Sequence, residues 1–300
     1  MAGQAPMAGQ APMAPTRAPA DGCSWPASFV AVRRARVWAV PGAVRALRRA
    51  GVAFSGVVGF AAAGLAGAPH RFPPAPGARA TPPTVPLPDG LPAPVERFFR
   101  GRFGDRVPLV ETVVVTGHGT VRLTTGLLDI PLPVRFRFTQ VAGHSYRHYI
   151  EVTFFGVPVG RVNEWFVDGS GRAEVFGKLQ AVGPKWDQGA NLGLWIEALT
   201  WFPSVLVTDP RLHWEAVDDE TAIVVVPFGS THERILVRFD PADGDIAYWE
   251  MMRYANGRGH KRLYVNGVWF DDGRPWASFT VDDIALDVPV DTSFDARGLP

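Results

Sequence analysis

Glu197 is the residue whose setting most clearly suggests chemistry, because it interrupts an otherwise apolar segment, NLGLWIEALTWFPSVL (191–206). A charge that leaves water needs a partner, so this carboxylate is expected to be paired inside the protein or placed at the mouth of a cavity. Arg253 and Arg161 are the partners that we expect for it. Since most buried ion pairs have no catalytic role, a structural pair is the favoured interpretation.

His148 and Glu164 are two further candidates for acid–base chemistry. Both lie in segments where apolar and polar residues alternate, and both are expected to face the same interior as Glu197. Such residues are more often core polar groups satisfied by hydrogen bonds than contacts to a ligand. Acid–base catalysis by these three residues is the alternative to a purely structural role.

Motifs for nucleophilic catalysis and for metal binding are weak in this sequence. Gly169-Ser170-Gly171 follows Asp168, which is typical of a hairpin turn rather than of a serine on a strained strand-to-helix turn. The seven histidines form no group at zinc-ligand spacing. The acidic residues 240–245 lack the spacing and the distal glutamate of a calcium loop. We therefore predict no catalytic residue, no metal and no cofactor.

The segment 191–206 is expected to form the central helix of the folded part. Two apolar rows at helical spacing cover most of its circumference, and the one polar row is Gly193, Glu197, Thr200 and Ser204. A helix that is apolar on most sides must be buried on most sides. We therefore expect the rest of the domain to surround it.

Most of the chain after residue 105 shows the period-two alternation of half-buried strands. Short turn sequences such as Asn266-Gly267 separate the segments, and connections this short pair sequential neighbours. The predicted fold is mainly β (α+β): a wide, curved antiparallel meander sheet of about ten or more strands, or a half-barrel, wrapped around the central helix. A short N-terminal helix, Leu91–Phe103, precedes the sheet, with Pro92 in its first turn.

The first ninety residues differ in composition from the rest. Residues 1–49 are expected to form a disordered basic tail, because they repeat MAGQAP and carry seven arginines against one acidic residue. Residues 50–68 carry no charge and are predicted to be a membrane span or a signal segment, with a soluble tail as the alternative. Residues 69–90 contain eight prolines and predict a semi-rigid linker, so 91–300 is the expected single β-rich domain.

Four stretches resemble an uncharacterised bacterial family known only as a domain of unknown function: LPAPVERFFR, GLWIEALTWFPSVL, LHWEAVDDETA and FDPADGDI. The resemblance covers Leu91 to the end, and its most specific part is Glu197 with Trp201-Phe202-Pro203. The family brings no established activity. Its layout of sheet and helix is similar to the lipoprotein-carrier fold of bacterial envelopes, which implies a half-open barrel that holds acyl chains beneath helices.

The expected function is non-catalytic binding of an apolar ligand, such as a lipid or an acyl chain, outside the cytoplasmic membrane. We predict an apolar cavity between the central helix and the concave face of the sheet. Its expected lining includes Trp195 or Trp201 from the helix and strand aromatics such as Phe136 and Phe154. Glu197 at the edge is expected to orient a polar headgroup through Arg253 or through solvent.

The predicted ligand-binding residues are Trp165, Glu197, Trp201, Trp249, Arg253 and His148. An enzyme with an acidic and histidine pocket, or a structural domain with no small ligand, are the alternatives. A net charge of +1 gives no bulk attraction for nucleic acid. The single cysteine, Cys23, indicates no redox compartment, so location is predicted from the leader alone. It is membrane-anchored or exported, with a cytoplasmic location as the alternative.

Overall fold

The computed structural model describes residues 41–75, 81–125, 128–255, 257–270 and 273–291. The chain divides into two compact units, Met1–Val52 and Ala53–Pro300. Most of the predicted basic tail, residues 1–40, lies outside the described residues. The second unit contains the β-rich domain, whose described part holds the sheets and the helices that position the candidate site.

The described residues form four helices: α1 (Pro41–Ala66), α2 (Ala93–Phe103), α3 (Pro184–Trp201) and α4 (Val205–Thr208). The first eight strands are β1 (Thr84–Pro86), β2 (Arg106–Pro108), β3 (Thr112–Thr125), β4 (Leu128–Val141), β5 (Ser145–Phe154), β6 (Val157–Val167), β7 (Ser170–Val175) and β8 (Lys178–Ala181). Those after α4 are β9 (His213–Ala216), β10 (Thr221–Phe228), β11 (Thr231–Phe239), β12 (Ile246–Ala255), β13 (Arg258–Val265), β14 (Val268–Trp269) and β15 (Ala277–Leu286).

The strands form two large antiparallel sheets, which confirms the predicted mainly β architecture. One sheet has seven strands in the order β15-β3-β4-β5-β6-β7-β8, and the other has six in the order β14-β13-β12-β11-β10-β9. We expected one continuous meander, but α3 and α4 come between β8 and β9 and end the sequential pairing there. Neither sheet closes into a barrel, because each keeps two edge strands.

α3 is the predicted central helix, and it lies against both sheets. It contacts β6 and β7 of the seven-stranded sheet and β10 and β12 of the six-stranded sheet. It begins at Pro184, seven residues before the predicted start, and the added turns bring the buried side-chain amide of Gln188, like that of Asn191, against the second sheet. Gln188 donates to the Met252 carbonyl at 2.9 Å and Asn191 to the Pro227 carbonyl at 3.0 Å.

One apolar core joins the helices to both sheets. α2 matches the predicted N-terminal helix within two residues, and its buried Phe98 packs on Phe239 of β11 with ring centroids 5.7 Å apart. Part of the predicted proline-rich linker belongs to the same core. Residues 84–86 pair with β2, and Leu87 is buried.

The chain from Gly64 to Pro73 packs on the outer face of the seven-stranded sheet. The Phe155 amide donates to the Gly64 carbonyl at 2.8 Å. Phe72 lies under the guanidinium of Arg135 at 4.3 Å from its ring centroid, and Arg137 donates to the Pro73 carbonyl at 3.0 Å. The predicted span or signal segment, residues 50–68, lies mostly within α1. Within the described ranges, no helix combines the length and the apolar character that a membrane crossing requires.

Candidate functional site

A cluster of polar side chains lies on the inner face of the seven-stranded sheet, against α3. Strand alternation places it there: Phe138 of β4 pairs with His148 of β5, and His148 pairs with Glu164 of β6. Side chains in register on neighbouring strands point to the same face. This inner-face cluster consists of Gln140, Tyr146, His148, Glu164 and Glu197.

Glu197 of α3 is paired with groups of the sheet, as its buried position requires. Its Oε1 lies 2.8 Å from Nε2 of His148, and its Oε2 accepts a hydrogen bond from the Gln140 side-chain amide. Both side chains of the ion pair are largely buried, with 11% of His148 and 15% of Glu197 exposed. The prediction that Glu197 faces the interior with His148 and Glu164 agrees with this geometry.

The partners predicted for Glu197 were wrong. Arg253 lies on β12 of the other sheet, with its guanidinium carbon 5.2 Å from the Tyr264 ring centroid. Arg161 pairs in register with Glu151 on the outer face of the seven-stranded sheet. A charged helix residue can be partnered by any strand that meets its face, and sequence alone did not indicate that β4 and β5 do so.

Aromatic rings enclose His148 on two sides. The Phe138 ring centroid lies 4.2 Å from that of the imidazole, and the Tyr146 ring stacks on the other side at 4.1 Å. The Tyr146 hydroxyl donates to Glu164 Oε1 at 2.5 Å. The cluster is therefore two acid-linked pairs, His148–Glu197 and Tyr146–Glu164, joined by ring stacking.

Burial and neighbouring carboxylates shift the pKa values of both aromatic members. Burial alone lowers the pKa of His148, but the charge and hydrogen bond of Glu197 and the charge of Glu164 raise it above the ordinary value. Burial, reinforced by Glu164, raises the pKa of Tyr146 well above 10. The positive charge of Arg253 lowers both pKa values and so offsets part of each increase. The cluster thus favours a protonated imidazole beside a carboxylate and a neutral phenol.

An open cleft of about 610 Å³ lies at one end of the seven-stranded sheet. The β4–β5 turn, the β6–β7 turn and the end of β10 form it around one side of α3. Its lining is Val141, Gly143, His144, Ser145, Phe166, Val167, Asp168, Gly169, Asn191, Leu194, Trp195, Arg211, Pro227 and Gly229. The interior wall is largely apolar, and the exposed charged or titratable groups stand at the rim.

Trp195 and Arg211 mark the inner wall and the rim of the cleft. Trp195 is 1% exposed, and its indole Nε1 has no hydrogen-bond partner among the residues that the structure describes. The Arg211 guanidinium carbon lies 5.7 Å from the Trp195 ring centroid. Arg211 also donates to the Gly143 carbonyl at 2.7 Å and is paired with Asp209. These contacts hold the rim arginine in place.

Phe166 connects the cleft to the inner-face cluster. It lines the cleft and stacks on Tyr146 with ring centroids 5.9 Å apart. Tyr146 in turn stacks on His148, so the ion pair lies two rings behind the cleft wall. A molecule in the cleft would meet an aromatic wall supported by a buried polar network.

The six predicted ligand-binding residues do not form one site. His148 and Glu197 meet as an ion pair, and Trp201 packs on Phe138 at 5.9 Å between ring centroids. Trp165 pairs with Arg147 on the opposite face of the sheet from Glu164. Trp249 lines a second, smaller cleft of about 340 Å³ beside α2.

The predicted cavity lining is also dispersed. Phe136 is fully buried and packs on Phe138 and Phe279, whereas Phe154 lies at a hairpin end against Phe60. Trp195 is the one predicted lining residue that the 610 Å³ cleft includes. Sequence reasoning missed Phe166 and Arg211 as site residues, because each reads locally as an ordinary strand or turn residue. Among the described residues, no group of three or more His, Cys, Asp or Glu side chains is placed to hold a metal.

Comparison with known proteins adds one match. The model of a protein family, described as a family of unknown function (DUF6544), matches residues 82–272. This confirms the predicted resemblance to an uncharacterised family. No curated protein matches the chain.

Proposed function

We propose that this chain, which belongs to the DUF6544 family of unknown function, binds an amphipathic small molecule in the 610 Å³ cleft. The expected ligand is a lipid or another molecule with an acyl chain and a polar head. The supporting observation is an apolar wall that contains a buried, unpartnered indole N–H and is edged by charged groups. The proposal keeps the apolar-ligand function predicted from the sequence and moves its site from the concave face to the end of the sheet.

The size of the cleft supports a small-molecule site. Pockets that bind drug-sized or cofactor-sized ligands enclose about 300–1,000 Å³, and this cleft falls within that range. The half-buried side chains of Val141, Val167 and Pro227 offer apolar surface that an acyl chain can bury, and the buried Phe166, Leu194 and Trp195 form the wall behind them. At the rim, His144 and Arg211 can meet an anionic head. Asp209, which is paired with Arg211, and Asp168 limit how many negative charges the head can carry.

The Trp195 indole N–H favours one orientation of the bound ligand. A buried N–H without a partner costs free energy, and a bound acceptor would remove that cost. We therefore place an oxygen atom of the ligand near the indole, with the apolar part along Phe166 and Leu194. The inner-face cluster behind Phe166 has a supporting role, because it fixes the aromatic wall through Tyr146.

A fluorescent fatty-acid probe titrated against the full chain tests this proposal. We expect saturable binding in the micromolar range, and Trp195→Phe should weaken it about three- to tenfold by removing one hydrogen bond. Trp186→Phe is the matched control, because its indole Nε1 is also buried and without a described partner but lies outside the cleft lining. No binding to the folded wild-type chain would contradict the proposal, and equal weakening by both variants would remove Trp195 from the site.

Catalysis by the inner-face cluster is a second candidate, favoured by the 2.8 Å pair of His148 and Glu197. A carboxylate-linked imidazole is a common general acid–base arrangement. This candidate requires substrate to reach the imidazole past Phe166 and Tyr146. Product formation from a candidate ester by wild type, abolished by Glu197→Gln with the fold intact, would support it, and unchanged turnover in that variant would reject it.

Export of the domain stays a prediction from the leader. The arginines before residue 50, the uncharged run 50–68 and the prolines after it support that prediction. An alkaline phosphatase fusion after Gly90 tests it, since this enzyme is active only outside the cytoplasm. Activity from a cytoplasmic reporter alone would contradict export.

A further inference from the structure

The end of the seven-stranded sheet opposite the cleft carries two hairpin turns with phenylalanine at the tip. Phe155-Gly156 joins β5 to β6, and Phe176-Gly177 joins β7 to β8. In both turns the two central residues have positive φ: 51° and 76° in the first, 51° and 74° in the second. Both phenylalanines are exposed, at 46% and 58%.

Phenylalanine is a costly residue in this turn geometry. Two-residue hairpin turns with positive φ at both central positions prefer Asn-Gly or Asp-Gly, because a bulky side chain crowds the backbone there. Two other hairpins of this protein follow that preference, with Asp168-Gly169 and Asn266-Gly267 at comparable angles. The two phenylalanine tips thus combine local strain with a ring that is about half exposed, and each ring keeps a contact inside the domain, Phe155 with Phe60 and Phe176 with Gly160.

The two tips belong to a larger apolar surface. Val157 and Val159 of β6 and Leu179 of β8 are exposed beside them. Phe60 of α1 packs on Phe155 at 5.1 Å between ring centroids and is itself exposed, as are Val57 and Phe54 about one and two turns before it. We call this set, Phe54, Val57, Phe60, Phe155, Val157, Val159, Phe176 and Leu179, the aromatic-tip surface.

Arg161 and Lys178 lie next to the aromatic-tip surface, together with the acid Glu174, which is the register partner of Leu179. Residues 154–161 contain Arg161 and no acid, residues 175–180 contain Lys178 and no acid, and residues 53–66 contain no charge. Arg161 and Lys178 are both exposed. Exposed aromatic and aliphatic side chains beside cations are the composition that binds to the interface of an anionic bilayer.

We propose that the aromatic-tip surface docks on an anionic lipid membrane, with Phe155 and Phe176 inserted among the headgroups. Phenylalanine that moves from water into the acyl boundary gains the free energy of leaving water. Arg161 and Lys178 then lie at the depth of the lipid phosphates. Because the cleft opens at the other end of the sheet, docking leaves the cleft accessible, and the two proposals can fail independently.

Vesicle flotation with the full chain tests the docking. Wild type is expected to float with vesicles of mixed phosphatidylcholine and phosphatidylglycerol and to float less with phosphatidylcholine alone. The Phe155→Asn/Phe176→Asn double variant should lose about a hundredfold in apparent affinity, since two buried rings are removed. It is expected to fold, because asparagine is the preferred residue at these turn positions; circular dichroism and thermal unfolding check this.

Phe270→Asn is the matched control, because Phe270 is also exposed, at 71%, but follows β14 of the six-stranded sheet. It should bind vesicles like wild type. Undiminished flotation of the folded double variant would overturn the docking, and equal flotation with neutral and anionic vesicles would overturn the requirement for anionic lipid. A third outcome would also overturn the lipid assignment. If lipid-free wild type sediments as a dimer, the double variant sediments as a monomer, and neither floats with vesicles, this surface binds a second copy of the chain.

Discussion

The two ends of the seven-stranded sheet present different surfaces, although two-residue turns with the same backbone angles occur at both ends. At the cleft end, the turns at residues 142–144 and 168–169 expose His144 and Asp168 around a recess. At the other end, the turns at residues 155–156 and 176–177 expose two phenylalanines. Asp168 and Phe155 have nearly the same backbone angle, φ 50° and φ 51°. The difference therefore comes from the side chains, and turn residues that do not follow backbone preference point to a surface with another role.

The aromatic residues at the two ends also differ in what they contribute to stability. At the cleft end, Trp195 and Phe166 are buried and belong to the core. At the tip end, Phe155 and Phe176 are exposed and make few core contacts. A substitution at each end measures this contrast directly.

Trp195→Ala should have the largest effect, a loss of about 4 kcal/mol in the free energy of unfolding, because it removes a buried indole and leaves a void. Phe176→Ala should change the same quantity by less than about 0.5 kcal/mol. Urea denaturation of both variants gives the comparison. Equal losses at the two ends would show that the tip ring is part of the core.

Glu197→Gln should destabilise the protein by about 2 kcal/mol at low pH, because it removes the carboxylate that is paired with buried His148. The raised folded-state pKa of His148 sets the sign: folding favours the protonated imidazole. The stabilisation is fully present below the unfolded pKa of about 6.5 and is lost as pH rises through the folded pKa.

The gap in unfolding free energy between wild type and Glu197→Gln should therefore shrink as the pH rises above the unfolded pKa of about 6.5 and through the raised folded-state pKa of His148. Glu164 and Arg253 stay in place in the variant, so their charges act on His148 in both proteins. Glu220→Gln, which breaks the exposed 2.6 Å pair with Arg238, is the control and should give a small gap that changes little over this range. A constant gap for Glu197→Gln would show that His148 does not change its charge state with this partner.

Exchanging the first turn residue between the two ends of the sheet should have the smallest effect on stability. Phe155→Asn is expected to stabilise the protein by about 0.5–1 kcal/mol, because it relieves an aromatic residue at positive φ. Asp168→Phe should destabilise it by a similar amount of about 1 kcal/mol. Thermal unfolding measures both, and a stability loss in Phe155→Asn would mean that the Phe60–Phe155 contact outweighs the strain.

Most strands were predictable because each shows its period-two alternation locally. The β5 and β6 segments around His148 and Glu164 are examples, and both residues face the interior as expected. The division into two sheets was not predictable in the same way. β8 and β9 are separated in the chain by α3 and α4, which lead from one sheet to the other, and no local sequence pattern indicates that change of sheet.

The sequence predicted individual residues of the site but not which of them contact each other. Glu197 stood out because a charge in an apolar helix is rare, yet its partner His148 lies 49 positions earlier on a strand whose packing partner only the fold defines. The polar turn Asp168-Gly169 was recognised as a hairpin from its residues. Phe155-Gly156 was not, since phenylalanine is not a turn signal, and the same mismatch now marks the tip as a candidate docking element.

Mass spectrometry of organic extracts from the natively purified full chain tests the ligand-binding claim most directly. A molecule held in the cleft should remain with the protein and appear as an amphipathic lipid in stoichiometric amount. The Leu194→Trp variant, which fills the cleft from its inner wall, should lose that lipid if it still folds. The account would be contradicted if the extract contains no lipid and the wild-type chain also fails to bind the fluorescent fatty acid. The domain would then be left with a structural role.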